Sequence, residues 1–224
     1  MKIKATLRRA TALLLTIFLL AVPALAEVDN PYSEVPEDTA SSYQEEKSGL
    51  ERSFPDVPQD ADYAQAVSML AELEIITGDE RGNFNPDSTV TRGEMAAILC
   101  RLLEEPQAGK DTGFQDVSSD HWAAGYVTRA VELGFVNGYG NGNFGPQDPV
   151  TCEQVVKMLV CAWGYEEEAQ AEGGWPQGYW NVAGDLGIRQ EVTAGPTENA
   201  PRSAVAVFCC NTLNIAQGNT FLAE

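Results

Sequence analysis

The sequence predicts an all-α fold made of three helix–loop–helix repeats, and three observations support this prediction. A pattern recurs at a fixed offset, so that 16 of the 50 positions in 54–103 are identical to their partners in 114–163. Each copy contains a signal for the start of a helix, and the residues after that signal place apolar side chains on one helical face. A repeated unit of this size indicates similar modules that share one interior.

Each of the two clear copies predicts a helix start at a threonine. Thr91 is followed three residues later by Glu94, which is the spacing of a capping box, and Thr151 and Gln154 keep that spacing in the second copy. Arg92 lies in the first helical turn, where the helix dipole disfavours a cation by roughly 0.3–1 kcal/mol. Two interpretations of Arg92 stay open: it contacts an outside anion, or it is a solvated surface arginine.

The residues after each cap predict helices with a stripe of side chains facing the core. They recur at the i, i+3, i+4, i+7 and i+8 spacing of one helical face. A third copy, eroded but recognisable, has Pro201 and Arg202 in place of the threonine and arginine. The three stripes are Met95, Ile98, Leu99, Leu102 and Leu103; Val155, Met158, Leu159, Ala162 and Trp163; and Val205, Phe208, Cys209, Thr212 and Leu213.

The first helix of each repeat is less sharply marked. We expect helices near 61–73, from a cap at Asp120 through Leu133, and over 179–188. Residues 173–176, which read Gly-Gly-Trp-Pro, predict a tight turn before the third copy. Asp56 and Asp116, at matching positions, are expected to cap or brace the beginning of their repeats.

The first 26 residues have the features of a secretory signal peptide. Four basic residues precede the apolar run 12–22, which is shorter than the ~20 residues that span a bilayer. Ala24-Leu25-Ala26 is a small-x-small cleavage site, and an uncleaved membrane anchor is the alternative. Residues 27–53 predict an acidic disordered linker, and 215–224 a C-terminal tail.

Charge and composition exclude several function classes. Losing the four basic residues of the signal takes the formal charge from −19 to −23, so we expect neither nucleic acid nor, after cleavage, membrane as a partner. With a single histidine, His121, and no C-x-x-C spacing, no metal or cofactor is predicted. No catalytic residues are predicted, because no paired carboxylates or Ser/His/Asp pattern stands out. The five cysteines are predicted to be small buried side chains, and a Cys100–Cys210 disulfide stays open.

The repeats resemble the S-layer homology (SLH) motif of bacterial surface proteins. That motif has an F-x-D-V start, an H-W pair, a G-x-G-x-F-x-P loop and a T-R-A-E helix start. The first copy supplies Phe54-Pro-Asp-Val57 and Thr91-Arg-Gly-Glu94. The second supplies Phe114-Gln-Asp-Val117, His121-Trp122 and the loop 140–146. The resemblance covers repeats at 54–104, 114–164 and 173–214, the third degenerate.

The resemblance implies a three-pronged spindle, in which three repeats surround a pseudo-threefold axis. It also implies non-covalent binding of secondary cell-wall polysaccharide, often pyruvylated, in the grooves between repeats. By position, the motif's arginine contact is Arg92 in the first copy and Arg202 in the third, whereas the second copy has Cys152. Trp122 and Tyr139 are candidates for stacking on a sugar, and core packing is the alternative for Trp122. An exported protein–protein scaffold is the alternative function.

Overall fold

The computed structural model describes residues 53–216, and this part of the chain is helical. The predicted signal peptide, nearly all of the linker and most of the tail lie outside the described residues. The all-α prediction is confirmed for the region that is described. Its helices in chain order are α1 (Ala64–Glu72), α2 (Arg92–Leu102), α3 (Ala124–Glu132), α4 (Cys152–Ala162), α5 (Glu166–Ala171), α6 (Gln177–Asp185) and α7 (Arg202–Ala216).

Helices α2 and α4 begin at the predicted caps. The Thr91 hydroxyl accepts a hydrogen bond from the Glu94 N–H at 3.3 Å, and Glu94 Oε2 accepts one from the Thr91 N–H at 2.8 Å. In the second repeat, Gln154 Oε1 accepts from the Thr151 N–H at 3.1 Å. The residues of all three predicted stripes are buried, including the polar Thr212, whose hydroxyl donates to the Phe208 carbonyl at 2.6 Å.

The helices pair across repeat boundaries. Helix α2 of the first repeat packs on α3 of the second, and α4 of the second packs on α6 of the third. Helix α7 of the third repeat packs on α1 of the first. The packing unit is therefore the second helix of one repeat with the first helix of the next. These pairings bring the first and third repeats into direct contact.

A ring of backbone hydrogen bonds joins the three repeats at matching positions. Val90 N–H donates to the Ala200 carbonyl at 3.0 Å, Ala200 N–H to the Val150 carbonyl at 2.8 Å, and Val150 N–H to the Val90 carbonyl at 3.0 Å. All three residues are buried. An unpaired backbone N–H or C=O group costs about 1–3 kcal/mol when it is buried. The ring avoids this cost, because each of these three residues has both its N–H and its carbonyl group paired.

One expectation for the first helices needs correction. Helix α3 begins at Ala124 and has no side-chain cap, so the predicted cap at Asp120 is wrong. The chain instead turns through 118–124, where the His121 N–H bonds the Ser118 carbonyl and His121 Nδ1 accepts from the Ala123 N–H. The short helix α5 was not predicted, although the turn at 173–176 was: Gly173 and Gly174 have φ of 107° and 69°, which favour glycine.

Asp56 and Asp116 brace the loops of their repeats, as expected. Asp116 Oδ1 and Oδ2 accept from the N–H groups of Phe144 and Gly145 at 2.8 and 2.7 Å. Asp56 holds the first repeat's loop in the same way. Burial raises the pKa of Asp116, but these hydrogen bonds and the charge of Arg92 outweigh it and hold the pKa below its ordinary value of 3.8.

This brace predicts a pH dependence of stability. Because the pKa of Asp116 is lower in the folded state, its contribution is complete above its ordinary pKa and is lost as the pH falls through the folded value. We expect Asp116→Asn to have a lower Tm than the wild type at pH 7 and a smaller loss of Tm on acidification. Thermal melts followed by circular dichroism between pH 7 and pH 2 measure both effects. An equal acid-induced loss in the two proteins would contradict the prediction.

All five cysteines are free thiols, so the structure does not contain the Cys100–Cys210 disulfide. Cys100 Sγ lies 3.6 Å from the Tyr126 carbonyl, whereas Cys210 Sγ lies 3.5 Å from the Met69 sulfur. Burial raises the pKa of Cys100 to about 12. The prediction of small buried side chains is confirmed for Cys100, Cys152 and Cys209, whereas Cys161 and Cys210 are only partly buried.

Candidate functional site

Three matching junctions link the repeats, each at the residue that follows a cap position. The N–H of Arg92 donates to the Asp148 carbonyl, that of Cys152 to Glu198, and that of Arg202 to Ser88, each at 2.9 Å. The backbone arrangement at these junctions is therefore the same. The side chains differ, and those differences determine what each junction can bind.

Arg202 spans the junction between the third and first repeats. Its Nε donates to the Phe84 carbonyl at 2.9 Å, its Nη2 to the Thr77 carbonyl at 3.0 Å, and its guanidinium carbon lies 5.0 Å from the centroid of the Phe84 ring. The side chain is 15% exposed, and Glu94 Oε1 lies 3.9 Å from Nη1. Burial lowers the pKa of Arg202, and nearby carboxylates, Glu94 first among them, partly offset that effect. The guanidinium remains charged at any physiological pH.

A groove of about 450 Å³ opens beside Arg202. One wall is helix α2, whose residues Glu94, Ala97, Ile98 and Arg101 follow the i, i+3, i+4, i+7 spacing of a single face. The loop of the first repeat, including Thr77 and Asp79, and the indole of Trp122 complete the lining. The groove therefore combines two guanidinium groups, two carboxylates and one aromatic ring.

Trp122 is 52% exposed, so the interpretation of this residue as core packing is wrong. Its ring stacks on that of His121, with the two planes inclined by 30° and the centroids 5.8 Å apart. A half-exposed indole at the margin of a polar groove has an apolar face available for a flat ligand.

Arg92 lies inside the protein, and both sequence interpretations placed it at the surface. It is 7% exposed; its Nε donates to the Phe144 carbonyl at 2.8 Å and its Nη2 to the Asn137 carbonyl at 2.7 Å. These acceptors are 52 and 45 residues away in the chain. Arg92 thus joins the first repeat to the second, and as it stands it is not open to an outside anion.

Tyr139 lies over Arg92. The guanidinium carbon of Arg92 is 4.7 Å from the Tyr139 ring centroid, and the Tyr139 hydroxyl donates to Asp148 Oδ2 at 2.7 Å. Burial, and then this hydrogen bond, raise the pKa of Tyr139. The outer face of the ring is exposed, since the residue is 53% accessible.

The third junction has no arginine. Cys152 stands at the matching position, fully buried, and burial raises the pKa of its thiol to about 11. A neutral thiol cannot attract an anion as a guanidinium does.

The structure thus brings together Arg202 and Trp122 in one groove and Arg92 and Tyr139 at another junction. Sequence reasoning did not identify Asp79 and Arg101 as lining residues, and it assigned Glu94 to the helix cap alone. The helical spacing of Glu94, Ala97, Ile98 and Arg101 places these four residues on one face of α2, and this spacing is the sequence signal that indicates Glu94 and Arg101. Arg101 is partly held, with Nη1 3.3 Å from the Ile75 carbonyl and its guanidinium carbon 5.2 Å from the Tyr126 ring centroid.

Two further features bear on what residues 53–216 can bind. No group of three or more histidine, cysteine or acidic side chains there is arranged to hold a metal ion. No helix in the same range has the length and apolar character to cross a membrane.

Comparison with known proteins identifies the repeats. Residues 53–96 and 113–155 match the S-layer homology domain family. A cell surface protein of Thermoanaerobacter kivui is 35% identical over 140 residues, covering 60% of this chain and 18% of that protein. The middle cell wall protein of Brevibacillus brevis is 32% identical over 160 residues, covering 70% of this chain and 15% of that protein. This chain therefore spans less than a fifth of the length of either relative.

Proposed function

Since this chain is an S-layer homology domain protein of the bacterial cell surface, we propose that it attaches non-covalently to the cell wall by holding a secondary wall polysaccharide in the groove beside Arg202. The single observation that carries the proposal is the open groove in which Arg202 and Trp122 lie together.

The chemistry of that groove suits an acidic sugar. A guanidinium can hold a carboxylate through two parallel hydrogen bonds, and an exposed indole can pack against the flat face of a sugar ring. Glu94 can accept hydrogen bonds from sugar hydroxyl groups. Because the chain as a whole is strongly acidic, an anionic polymer is repelled at a distance, so binding must depend on the local arginines.

We further infer that the three repeats surround a pseudo-threefold axis. The cyclic hydrogen bonds of Val90, Val150 and Ala200, and the packing of α7 on α1, support this arrangement. In a spindle of this kind each groove lies where one repeat meets the next. The third copy would then be a full structural partner despite its eroded sequence.

The test is a pull-down of the mature chain with purified sacculi of a Gram-positive-type bacterium. One sample keeps its secondary polymer and the other has had it removed by mild acid. We expect at least about tenfold tighter binding to the intact sacculi, a difference of ~1.4 kcal/mol. Lys110→Gln, which removes an exposed positive charge away from the groove, is the control and should bind like the wild type.

Equal binding to both samples, or none, would contradict the proposal. If the chain binds neither sample and elutes as a defined oligomer in size-exclusion chromatography with light scattering, the alternative of an exported protein scaffold is supported instead. A monomer that binds only the intact sacculi supports attachment through the polymer.

A further inference from the structure

Three of the matched positions at which the first and second repeats differ lie around the junction arginine. Asp79, Asn85 and Ser88 of the first repeat correspond to Tyr139, Gly145 and Asp148 of the second, at the constant offset of the repeat. The first set surrounds Arg202 and the second surrounds Arg92. The two sets make different contacts.

In the first repeat the loop side chains bond to one another, and the side chain of the arginine stays 15% exposed at the groove. Asn85 Nδ2 donates to Asp79 Oδ2 at 3.0 Å, and Asp79 Oδ1 accepts from the N–H groups of Arg81 and Asn83, both at 2.9 Å. Asp79 is thus turned toward its own loop, and the groove beside Arg202 stays open.

In the second repeat the loop side chains cover the arginine. Tyr139 lies 4.7 Å from the Arg92 guanidinium carbon, and Asp148 fixes the hydroxyl end of the ring. Gly145 makes room for this arrangement, because a Cβ added there would lie 2.6 Å from Tyr139 Cε2. A side chain such as that of Asn85 could not occupy this position while the tyrosine lies as it does. The tyrosine, the glycine and the aspartate therefore act together.

The tryptophan at the junction of Arg92 also has a contact that its counterpart in the groove beside Arg202 lacks. Trp175 matches Trp122, since each stands two residues before the first helix of its repeat, and Lys157 stands where the first repeat has Ala97. Lys157 Nζ lies 5.3 Å from the centroid of the Trp175 ring. Trp175 is still 45% exposed, so what differs from the groove beside Arg202 is the lysine over its ring and not the exposure of the indole.

We propose that Tyr139, held by Asp148, closes the second inter-repeat groove over Arg92, so that the domain binds a single acidic sugar through Arg202. This inference rests on the proposed function for the identity of the ligand. The junction at Cys152 adds no further anion site, because it has no arginine. Tyr139 is thus the residue that sets the number of sites at one rather than two.

Closure of the groove can be tested without any glycan. The mature chain is treated with p-hydroxyphenylglyoxal, which modifies accessible guanidinium groups, and the modified arginines are located by mass spectrometry. We expect Arg202 to react at least about tenfold faster than Arg92 in the wild type. In Tyr139→Phe, which keeps the ring but lacks the hydroxyl that Asp148 holds, Arg92 should react at an intermediate rate. In Tyr139→Ala, Arg92 should react at a rate approaching that of Arg202. Asp148→Ser introduces the residue that the first repeat has at position 88 and removes the hydrogen-bond acceptor of the Tyr139 hydroxyl. It should raise the reaction rate of Arg92 to a value between those in the wild type and in Tyr139→Ala.

Equal rates for Arg92 and Arg202 in the wild type would overturn the proposal, as would an unchanged Arg92 rate in both Tyr139→Ala and Asp148→Ser. Circular dichroism melts identify any variant that has unfolded. If Tyr139→Ala does not fold, the rate of Arg92 modification in Asp148→Ser decides whether Tyr139 closes the groove.

The number of sites is then measured by calorimetric titration with short oligosaccharides cut from the secondary polymer. We expect one site per chain in the wild type and in Tyr139→Phe, and two in Tyr139→Ala. Two sites in the wild type, or one site in a Tyr139→Ala protein whose Arg92 has become reactive, would refute the role of Tyr139. If the wild type binds no oligosaccharide, the proposed function fails, and the labelling experiment still decides whether Tyr139 closes the groove.

Discussion

Arg202→Gln should weaken binding to polymer-bearing sacculi about 30- to 150-fold while the protein remains folded. Hydrogen bonds to a charged group contribute about 1.5–3 kcal/mol, and the paired bonds of a guanidinium with a carboxylate lie toward the upper end, about 2–3 kcal/mol. At ~1.4 kcal/mol per factor of ten, that range gives the expected loss. The measurement is a binding isotherm with intact sacculi, with the folded fraction determined by circular dichroism at the same temperature.

Arg202 also holds two carbonyl groups of the first repeat, so a control must separate lost contact with ligand from lost stability. Arg92→Gln is that control, because Arg92 makes the same kind of contact with two carbonyls of the second repeat but lies beneath Tyr139. We expect it to lower the Tm and leave binding per folded molecule unchanged. Equal loss of binding in the two variants would show that the effect is structural and would remove Arg202 from the site.

Arg92→Ala should lower the free energy of unfolding by about 3 kcal/mol. It leaves the Phe144 and Asn137 carbonyls without their donor, at about 1–3 kcal/mol for each group that stays buried. It also removes cation–π contacts with Tyr139 and Phe144, whose ring centroids lie 4.7 and 4.6 Å away, worth roughly 0.5–2 kcal/mol each. Water that reaches the carbonyls keeps the total below the sum of these terms.

The expected change is a fall in Tm of about 6–12 °C, since 1 kcal/mol shifts the Tm of a domain of this size by roughly 2–4 °C. Urea unfolding provides the free energy directly. Lys110→Ala, at an exposed position, should change the free energy of unfolding by no more than about 0.5 kcal/mol. A change that small in Arg92→Ala would contradict the role of Arg92 in joining the repeats.

The parts of the fold that depend on local sequence were predictable. Caps at Thr91 and Thr151 and apolar stripes with helical spacing depend on residues within a few turns of each other, and all three stripes are buried as predicted. A cap or brace at Asp56 and Asp116 was also anticipated, but not that each carboxylate would bind loop N–H groups 28 and 29 residues later.

The site was less predictable, because it depends on contacts between distant residues. Nothing near Arg92 in the sequence indicates that carbonyls 45 and 52 residues later will hold it. The same repeat position in the third copy, Arg202, borders a groove because the first repeat has Asp79 where the second has Tyr139. Aligning the repeats places these residues in one column, but only their packing reveals which arginine is covered.

The cyclic bonding of Val90, Val150 and Ala200 has a consequence for how such a protein can evolve. An open solenoid grows by adding modules at an end and needs special terminal modules to shield its exposed faces. Here α7 packs on α1, so the faces that an open array leaves exposed at its two ends cover each other. Deleting residues 173–214 would therefore expose two apolar faces at once, the one on α4 that α6 covers and the one on α1 that α7 covers.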